Sequence, residues 1–262
     1  AIQFANSGTK PGNNYGIRAG IEILKDTTSE FEVSFNWIAG HYISFLDANR
    51  TLYSSQQSIL QKTLTASHFD EAYNNLTFNL SYLRKFTGKD HELRINADYA
   101  PHGNDYDNRF DTDYQGLSSI KSQDWANTTY AGGFDYKRPI RDFGKLEAGW
   151  KATYLWIDNS MINDTLRGSA WDRDFTTTNR FRYGQHLQAG YLIYGQSFGK
   201  TKVQAGLRGE YTGIRAEQMT LDEVYTRSYF DLFPNAYLSR DLDKKNSLRL
   251  AYSRRINRPG DH

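Results

Sequence analysis

Apolar and polar residues alternate with a period of two in segment after segment of this chain. That pattern belongs to β-strands with one dry face and one wet face. In segment 15–24, Tyr15, Ile17, Ala19, Ile21 and Ile23 share a face opposite Arg18 and Glu22. Segment 30–40 sets Phe31, Val33, Phe35 and Trp37 against Glu30, Glu32 and Asn36. The same alternation runs through 75–84 (Leu76, Phe78, Leu80, Tyr82), 92–100 (Leu93, Ile95, Ala97, Tyr99) and 127–137 (Tyr130, Gly132, Phe134, Tyr136). It continues in 145–157 (Leu146 to Trp156, even positions), 181–195, 202–213 (Val203, Ala205, Leu207, Tyr211), 232–240 and 246–256. In 181–195 the reading places Leu187, Ala189, Tyr191 and Ile193 on the apolar face, against His186, Gln188 and Gly190. The result is about ten strands of about ten residues each, with no helix-period segment.

The connections alternate in length. Tight turns follow the odd strands at 25–29, 87–91, 138–144, 196–200 and 241–245, and they are rich in Gly, Asp, Lys and Pro, as tight turns require. Long polar connections follow the even strands, near 42–73, 101–125, 158–180 and 214–228. The chain therefore reads as five hairpins with every tight turn at one end.

Composition narrows what such hairpins build. Only 38% of the 262 residues are hydrophobic, yet 15% are aromatic, which argues against disorder. Mean hydropathy is −0.74, and no run reaches the roughly 18 apolar residues of a transmembrane helix. Thirty-two basic residues against 30 acidic ones leave a net charge of +2, so no nucleic-acid partner is expected. The absence of cysteine excludes disulfides and thiolate chemistry. The N-terminus shows neither a signal peptide nor a Met start and the C-terminus stops just after a strand-like segment, and we expect a processed or truncated portion of a longer protein.

Strands of about ten residues match the length a tilted strand needs to cross a bilayer. Aromatics gather at strand ends, as at Tyr15, Trp37, Tyr82, Tyr99, Tyr136, Trp156 and Tyr252, where an amphipathic ring suits the lipid–water boundary. The polar face carries Arg18, Glu22, Arg94, Asp98, Glu147, Lys151, Arg208, Glu210 and Arg249, which a membrane barrel would turn to its lumen. Arg94 and Asp98 lie four apart on one face, as do Glu147 and Lys151, and Arg208 sits two from Glu210. Charges away from bulk water must be paired or wet, so these are expected to pair across strands and to line water or hold a plug rather than bind ligand directly. The expected fold is all-β: an antiparallel up-and-down transmembrane β-barrel portion filling residues 1–262. A soluble β-sandwich is the alternative that the alternation also allows.

The stretches Ala205-Gly-Leu-Arg-Gly-Glu-Tyr-Thr212, Leu232-Phe-Pro-Asn-Ala-Tyr-Leu238 and Leu248-Arg-Leu-Ala-Tyr-Ser-Arg-Arg-Ile-Asn-Arg-Pro259 resemble consecutive barrel strands of TonB-dependent outer-membrane receptors, in the outer-membrane β-barrel family. Gly16–Gly20 and Gly190–Tyr194 fit the same pattern. The resemblance implies a Gram-negative outer-membrane location and a complete barrel of about 22 strands. It also implies energised uptake of a scarce bulky ligand, such as a metal chelate, a glycan or a peptide. The plug domain and the short box that meets TonB are not recognisable in this sequence, so coupling to TonB would run through a plug region outside it. Lipid, the TonB complex and a surface lipoprotein are the implied partners. A passive or structural barrel, and a soluble β-rich carbohydrate-binding module, are the other functional readings.

No enzyme, cofactor or metal motif emerges. The histidines show neither H-x-x-x-H nor H-E-x-x-H spacing, and no G-x-S-x-G occurs. The run Asn104–Asp113 is dense in carboxylates but lacks the glycine and glutamate of an EF-hand, and it reads as a solvated loop. Ligand capture is expected on the long connections. There, Asp105, Asp107, Asp111 and Asp113 suit cations or hydroxyls, Trp125 and Trp171 suit stacking, and Arg167 and Arg173 suit anions.

Overall fold

The computed structural model describes residues 2–9, 12–53, 59–88, 90–112, 118–140, 144–243 and 245–255. These form twelve strands and no helix: β1 (Ile2–Thr9), β2 (Gly12–Asp26), β3 (Ser29–Tyr53), β4 (Ile59–Lys85), β5 (Glu92–Thr112), β6 (Ser118–Ile140), β7 (Gly144–Arg167), β8 (Ala170–Arg173), β9 (Asn179–Phe198), β10 (Thr201–Gln218), β11 (Glu223–Asp241) and β12 (Ser247–Ser253). All lie in one antiparallel sheet in chain order. β1 and β2 share one edge of β3 in a single register, with Thr9 opposite Phe45 and Gly12 opposite Tyr42. β8 and β9 likewise share the edge of β7. The sheet thus has ten strand positions, the number expected. Its two edges do not meet among the described residues.

The tight turns form as their residues dictate. Asp26 accepts from the backbone N–H of Thr28 at 2.7 Å and from its hydroxyl at 2.5 Å, closing the β2–β3 turn. Asp243 accepts from the N–H groups of Lys245 and Asn246 at 2.7 and 2.8 Å, closing β11–β12 in the same way. The β9–β10 turn needs a left-handed residue, and Gly199 supplies it at φ 57°.

The sheet buries almost no apolar side chain. Among the described residues the buried hydrophobic set is Leu83, Ala189 and Phe233, while Ile17, Ile21, Phe78, Ile95, Phe134, Trp150, Leu192, Leu207 and Leu250 are exposed. A soluble sandwich would cover that face with a second sheet, and the described residues form a single sheet. Lipid is the solvent such a face requires. Across it runs an aromatic ladder: Phe35–Phe78 at 5.1 Å, Phe78–Tyr99 at 6.3 Å, Tyr99–Tyr130 at 5.0 Å and Tyr130–Tyr154 at 6.4 Å between ring centroids. Each ring sits directly opposite the next in the ladder of strands.

Two expectations need correction. The strands are far longer than ten residues: β3 has 25, β4 has 27 and β5 has 21. Most of the long connections are therefore paired ribbon rather than loop. Beyond the bilayer both faces of a ribbon are wet, so the hydrophobic period vanishes while backbone pairing continues. The second correction concerns β9. Trp150 faces Gly190, Ala148 faces Leu192 and Leu146 faces Tyr194, so the apolar face of β9 is its even-numbered one. Leu192 and Tyr194 are exposed, Ala189 is buried, and Tyr191 reaches Asp135 on the polar face. Both alternations of 181–195 contain apolar residues, and a reading off by one residue inverts every side chain.

Candidate functional site

The polar face is built by the other half of each alternation, and the registers bring its members into rows across the sheet. Glu22, Glu32, Ser81, Asn96, Gly133, Lys151, Ala189, Glu210 and Asp231 follow one another in one such row. All nine charged residues expected to line a lumen lie on this face. A cleft of about 340 Å³ opens in it, with Asn96, Asp98, Asp135, Lys151, Tyr191 and Arg208 among its lining residues. Its floor depends on two glycines. A Cβ at Gly149 would lie 2.7 Å from the Phe134 carbonyl oxygen and would overlap the Tyr191 ring. A Cβ at Gly133 would run into the Trp150 carbonyl and lie 3.1 Å from the Lys151 Cα. The missing side chain at Gly149 lets Tyr191 lie across the strand and donate its hydroxyl hydrogen bond to Asp135.

The pairing of the polar-face charges differs in part from the cross-strand expectation. Arg208 donates to Glu210 at 2.6 Å along β10. Glu147 is bridged by Lys145 at 2.8 Å along β7. Lys137 meets Glu92 across strands at 2.7 Å. Arg94, Asp98 and Lys151 form no ion pair among the described residues, and Asp98 and Lys151 remain in the cleft as single charges. Residues two apart share a face in a strand and lie close enough to pair, so Glu147 and Glu210 are met along their own strands.

The residues expected to capture ligand divide between the two walls of the ribbons. Asp105, Asp107 and Asp111 follow the outward alternation of Tyr99, opposite Asp124, Ser122 and Ser118. Asp111 accepts from Arg109 at 2.9 Å, and the Arg109 guanidinium stands 6.0 Å from the Trp171 ring centroid. Arg173 donates to Asp164 at 2.6 Å. Asp111 thus pairs within β5 and Arg173 pairs across the β7–β8 hairpin, while Trp171 meets the Arg109 guanidinium of a different ribbon. Arg167 ends β7 beside the Gly168 turn. Asp113 lies outside the described residues. Trp125 is on the inward wall, opposite Asn104, and it lines a second cleft of about 320 Å³ with Asn104, Tyr106, Lys121 and Gln123. Sequence reasoning missed these four companions. The parity of β5 and β6, counted on from Tyr99 and Tyr130, would have found them.

Just outside the aromatic ladder, Arg180 and Arg182 grip Asp158 at 3.2 and 2.8 Å. Partial burial raises the Asp158 carboxyl, but hydrogen bonds from both guanidinium groups outweigh it and hold the carboxyl below its ordinary value of 3.8. A depressed carboxylate contributes stability that is complete above the ordinary value and is lost as pH falls through the lowered one. Below about pH 4, hydrogen exchange of the β7–β9 amides at this level should therefore accelerate. Asp158→Asn should remove that acid step. Nearby, Asp174 accepts from Thr176 and Thr177 hydroxyls at 2.6 and 2.8 Å and from the Thr176 N–H at 2.9 Å, which fixes the link between β8 and β9. Asp174→Ala should increase proteolysis between residues 174 and 178 without impairing barrel assembly, as read by limited digestion on cells.

No group of three His, Asp or Glu side chains among the described residues is placed to hold a metal ion. His41 pairs with Asp70 at 2.6 Å, and His91 is 3.0 Å from the Tyr136 hydroxyl.

Comparison with known proteins agrees with this geometry. The chain is similar in fold to the ferric-catecholate import receptor Fiu of E. coli K12. In the open form the TM-score is 0.52 at 8% identity, covering 95% of this chain and 54% of the receptor. In the closed form it is 0.50 at 7% identity, covering 95% and 49%. The chain thus spans about half the length of these solved receptors. No curated protein matches it at a significant level. The model of the outer membrane protein beta-barrel family matches residues 84–261, more than half of the chain. Its lipid-facing ladder, its polar inner face and its tight-turn polarity are therefore those of an outer-membrane barrel, and the chain belongs to the outer membrane protein β-barrel family.

Proposed function

We propose that this chain is part of a TonB-dependent outer-membrane receptor that takes up a scarce, bulky ligand and performs no enzymatic step on it. The observation that carries the reading is the inner face. It holds a wide, charged cleft at membrane level and a second cleft farther out along the ribbons, which suits binding followed by passage. The fold of the Fiu receptor supports the same class. In this reading the unpaired Asp98 and Lys151 meet polar groups of a plug, and the plug region meets TonB. The ribbons at 43–72, 101–124, 158–179 and 214–228 form the capture surface, with a surface lipoprotein as a further partner.

The test is electrical and biochemical. Purified intact protein in a planar bilayer should give no steady conductance and should bind the periplasmic domain of TonB. Steady conductance without TonB binding would replace the receptor reading by a passive pore.

A further inference from the structure

The inward wall of the β5–β6 ribbon has a chemistry of its own. Continuing the lumenal parity past the aromatic ladder, β5 presents His102, Asn104, Tyr106 and Asn108, and β6 presents Asn127, Trp125, Gln123 and Lys121 opposite them. The groups are neutral amides and aromatic rings, with one lysine and the neighbouring Glu71 as the nearby charges. Three side-chain oxygens on this wall, Oδ1 of Asn104, Asn108 and Asn127, are buried and accept no hydrogen bond, and of the three residues Asn104 lines the cleft beside Trp125. Asn108 as a whole is 2% exposed. The orientation of Asn104 is fixed chemically. Its Nδ2 donates to Glu71 Oε1 at 3.0 Å, and a carboxylate can only accept, so Oδ1 must face away from Glu71. Asn108 Nδ2 donates to the Tyr106 hydroxyl at 3.0 Å, a partner that, unlike a carboxylate, does not itself fix the amide's orientation. A buried acceptor without a donor forfeits the hydrogen bond that water gave it. Native proteins keep such groups where a ligand or water supplies the hydrogen.

We propose that this wall is a subsite for a neutral, polyhydroxylated ligand: a pyranose-based oligosaccharide. The inference rests on the receptor reading above and names its substrate class. Hydroxyl groups are donors for the Asn104 amide oxygen, and the Lys121 ammonium and the second Gln123 amide hydrogen, the first being given to Asn159 at 3.2 Å, supply donors for sugar oxygens. Trp125 offers the flat apolar surface against which the C–H face of a pyranose packs, and the Tyr106 ring lines the same cleft. The volume, about 320 Å³, lies at the lower end of the roughly 300–1,000 Å³ of small-ligand pockets and suits a short stretch of a longer chain. An anionic ferric chelate fits poorly. The single Lys121 charge is offset by Glu71, and a desolvated anion needs paired cations.

The experiment uses the intact protein in detergent, with neutral glucose-, mannose- and xylose-based oligosaccharides as probes and a ferric catecholate as the competing class. Titration is followed by calorimetry and by tryptophan fluorescence. The expected result is saturable binding of at least one oligosaccharide, not displaced by the ferric catecholate. Trp125→Ala and Asn104→Leu should each weaken that binding roughly tenfold or more, while Trp125→Phe weakens it less. Ser122→Ala, on the outer wall of the same ribbon, should leave it unchanged. Heat-modifiable gel mobility verifies that each variant has assembled. Failure of every oligosaccharide to bind, or equal binding by the assembled Trp125→Ala and Asn104→Leu variants, overturns the subsite. The two readings fail separately. TonB-dependent uptake of the ferric catecholate would keep the receptor and overturn the sugar subsite. Oligosaccharide binding with uptake that survives loss of TonB would keep the subsite and overturn the receptor.

Discussion

Arginine in place of Leu192 should destabilise the assembled barrel by about 2–4 kcal/mol, the cost of a cation near the middle of the lipid-facing wall. Arginine in place of the adjacent Ile193 should be tolerated. Leu192 is 54% exposed on the apolar face, flanked across the strands by Ala148 and Leu207. Ile193 lies between Glu147 and Gly206 on the polar face, where a new cation meets water and the Glu147 carboxylate, whose Oε1 is already bridged by Lys145. Urea unfolding in liposomes, followed by heat-modifiable mobility, measures both. The contrast has a sharp sign, because the apolar character of Leu187, Ala189, Tyr191 and Ile193 alone would predict the reverse.

The second large effect is expected at Gly149. Valine there should prevent correct assembly or cost about 1–3 kcal/mol or more, the usual penalty for overpacking where neighbours cannot retreat. One of the atoms a Cβ would meet is the Phe134 carbonyl oxygen, 2.7 Å away, and that oxygen belongs to the strand ladder. The other obstacle is the Tyr191 ring, which can be removed. Tyr191→Ala should therefore relieve Gly149→Ala in part but not in full, because the carbonyl remains. Full rescue would mean that the glycine serves only to seat the tyrosine. The readout is the fraction of folded, heat-modifiable protein in outer-membrane preparations.

How much of this was legible follows from where each residue sits relative to the bilayer. Between the tight turns and the aromatic ladder, lipid enforces strict alternation, so Ile17, Phe78, Ile95, Phe134 and Leu207 betray their face in sequence. β9 misled because its polar face is partly apolar: Leu187, Ala189 and Ile193 line a wall where Tyr191, not a charge, does the hydrogen bonding. Past the ladder, the stretch from Pro101 to Thr112 is polar on both faces, so nothing in its composition distinguishes a paired ribbon from a loop. The conspicuous aspartates of that stretch drew the reading to Asp105, Asp107 and Asp111, which the pairing sets on the outer wall. Asn104, Tyr106 and Gln123 carry no charge and match no motif, and only the uninterrupted register with the strands below assigns them inward. Trp125 was legible because a large ring in a polar segment is rare enough to stand out.

The two open edges matter for the same physical reason. Backbone groups left unpaired in hydrocarbon cost several kcal/mol each, so β2 and β12 need partner strands at membrane level. The fold thus sets a condition on any functional preparation: the barrel wall must be closed.

The central claim is that one face of this sheet meets lipid and the other a water-filled lumen, with β9 in the register described. Because the chain has no cysteine, single cysteines can be placed at each position from 186 to 196 of the intact protein and spin-labelled in liposomes. Collision with oxygen, which concentrates in lipid, is compared with collision with a water-soluble nickel chelate. The account predicts an alternation of period two across 186–196, with oxygen favoured at 188, 190, 192 and 194 and the nickel chelate at 189, 191 and 193. Oxygen favoured at the odd positions, or no alternation at all, would contradict it.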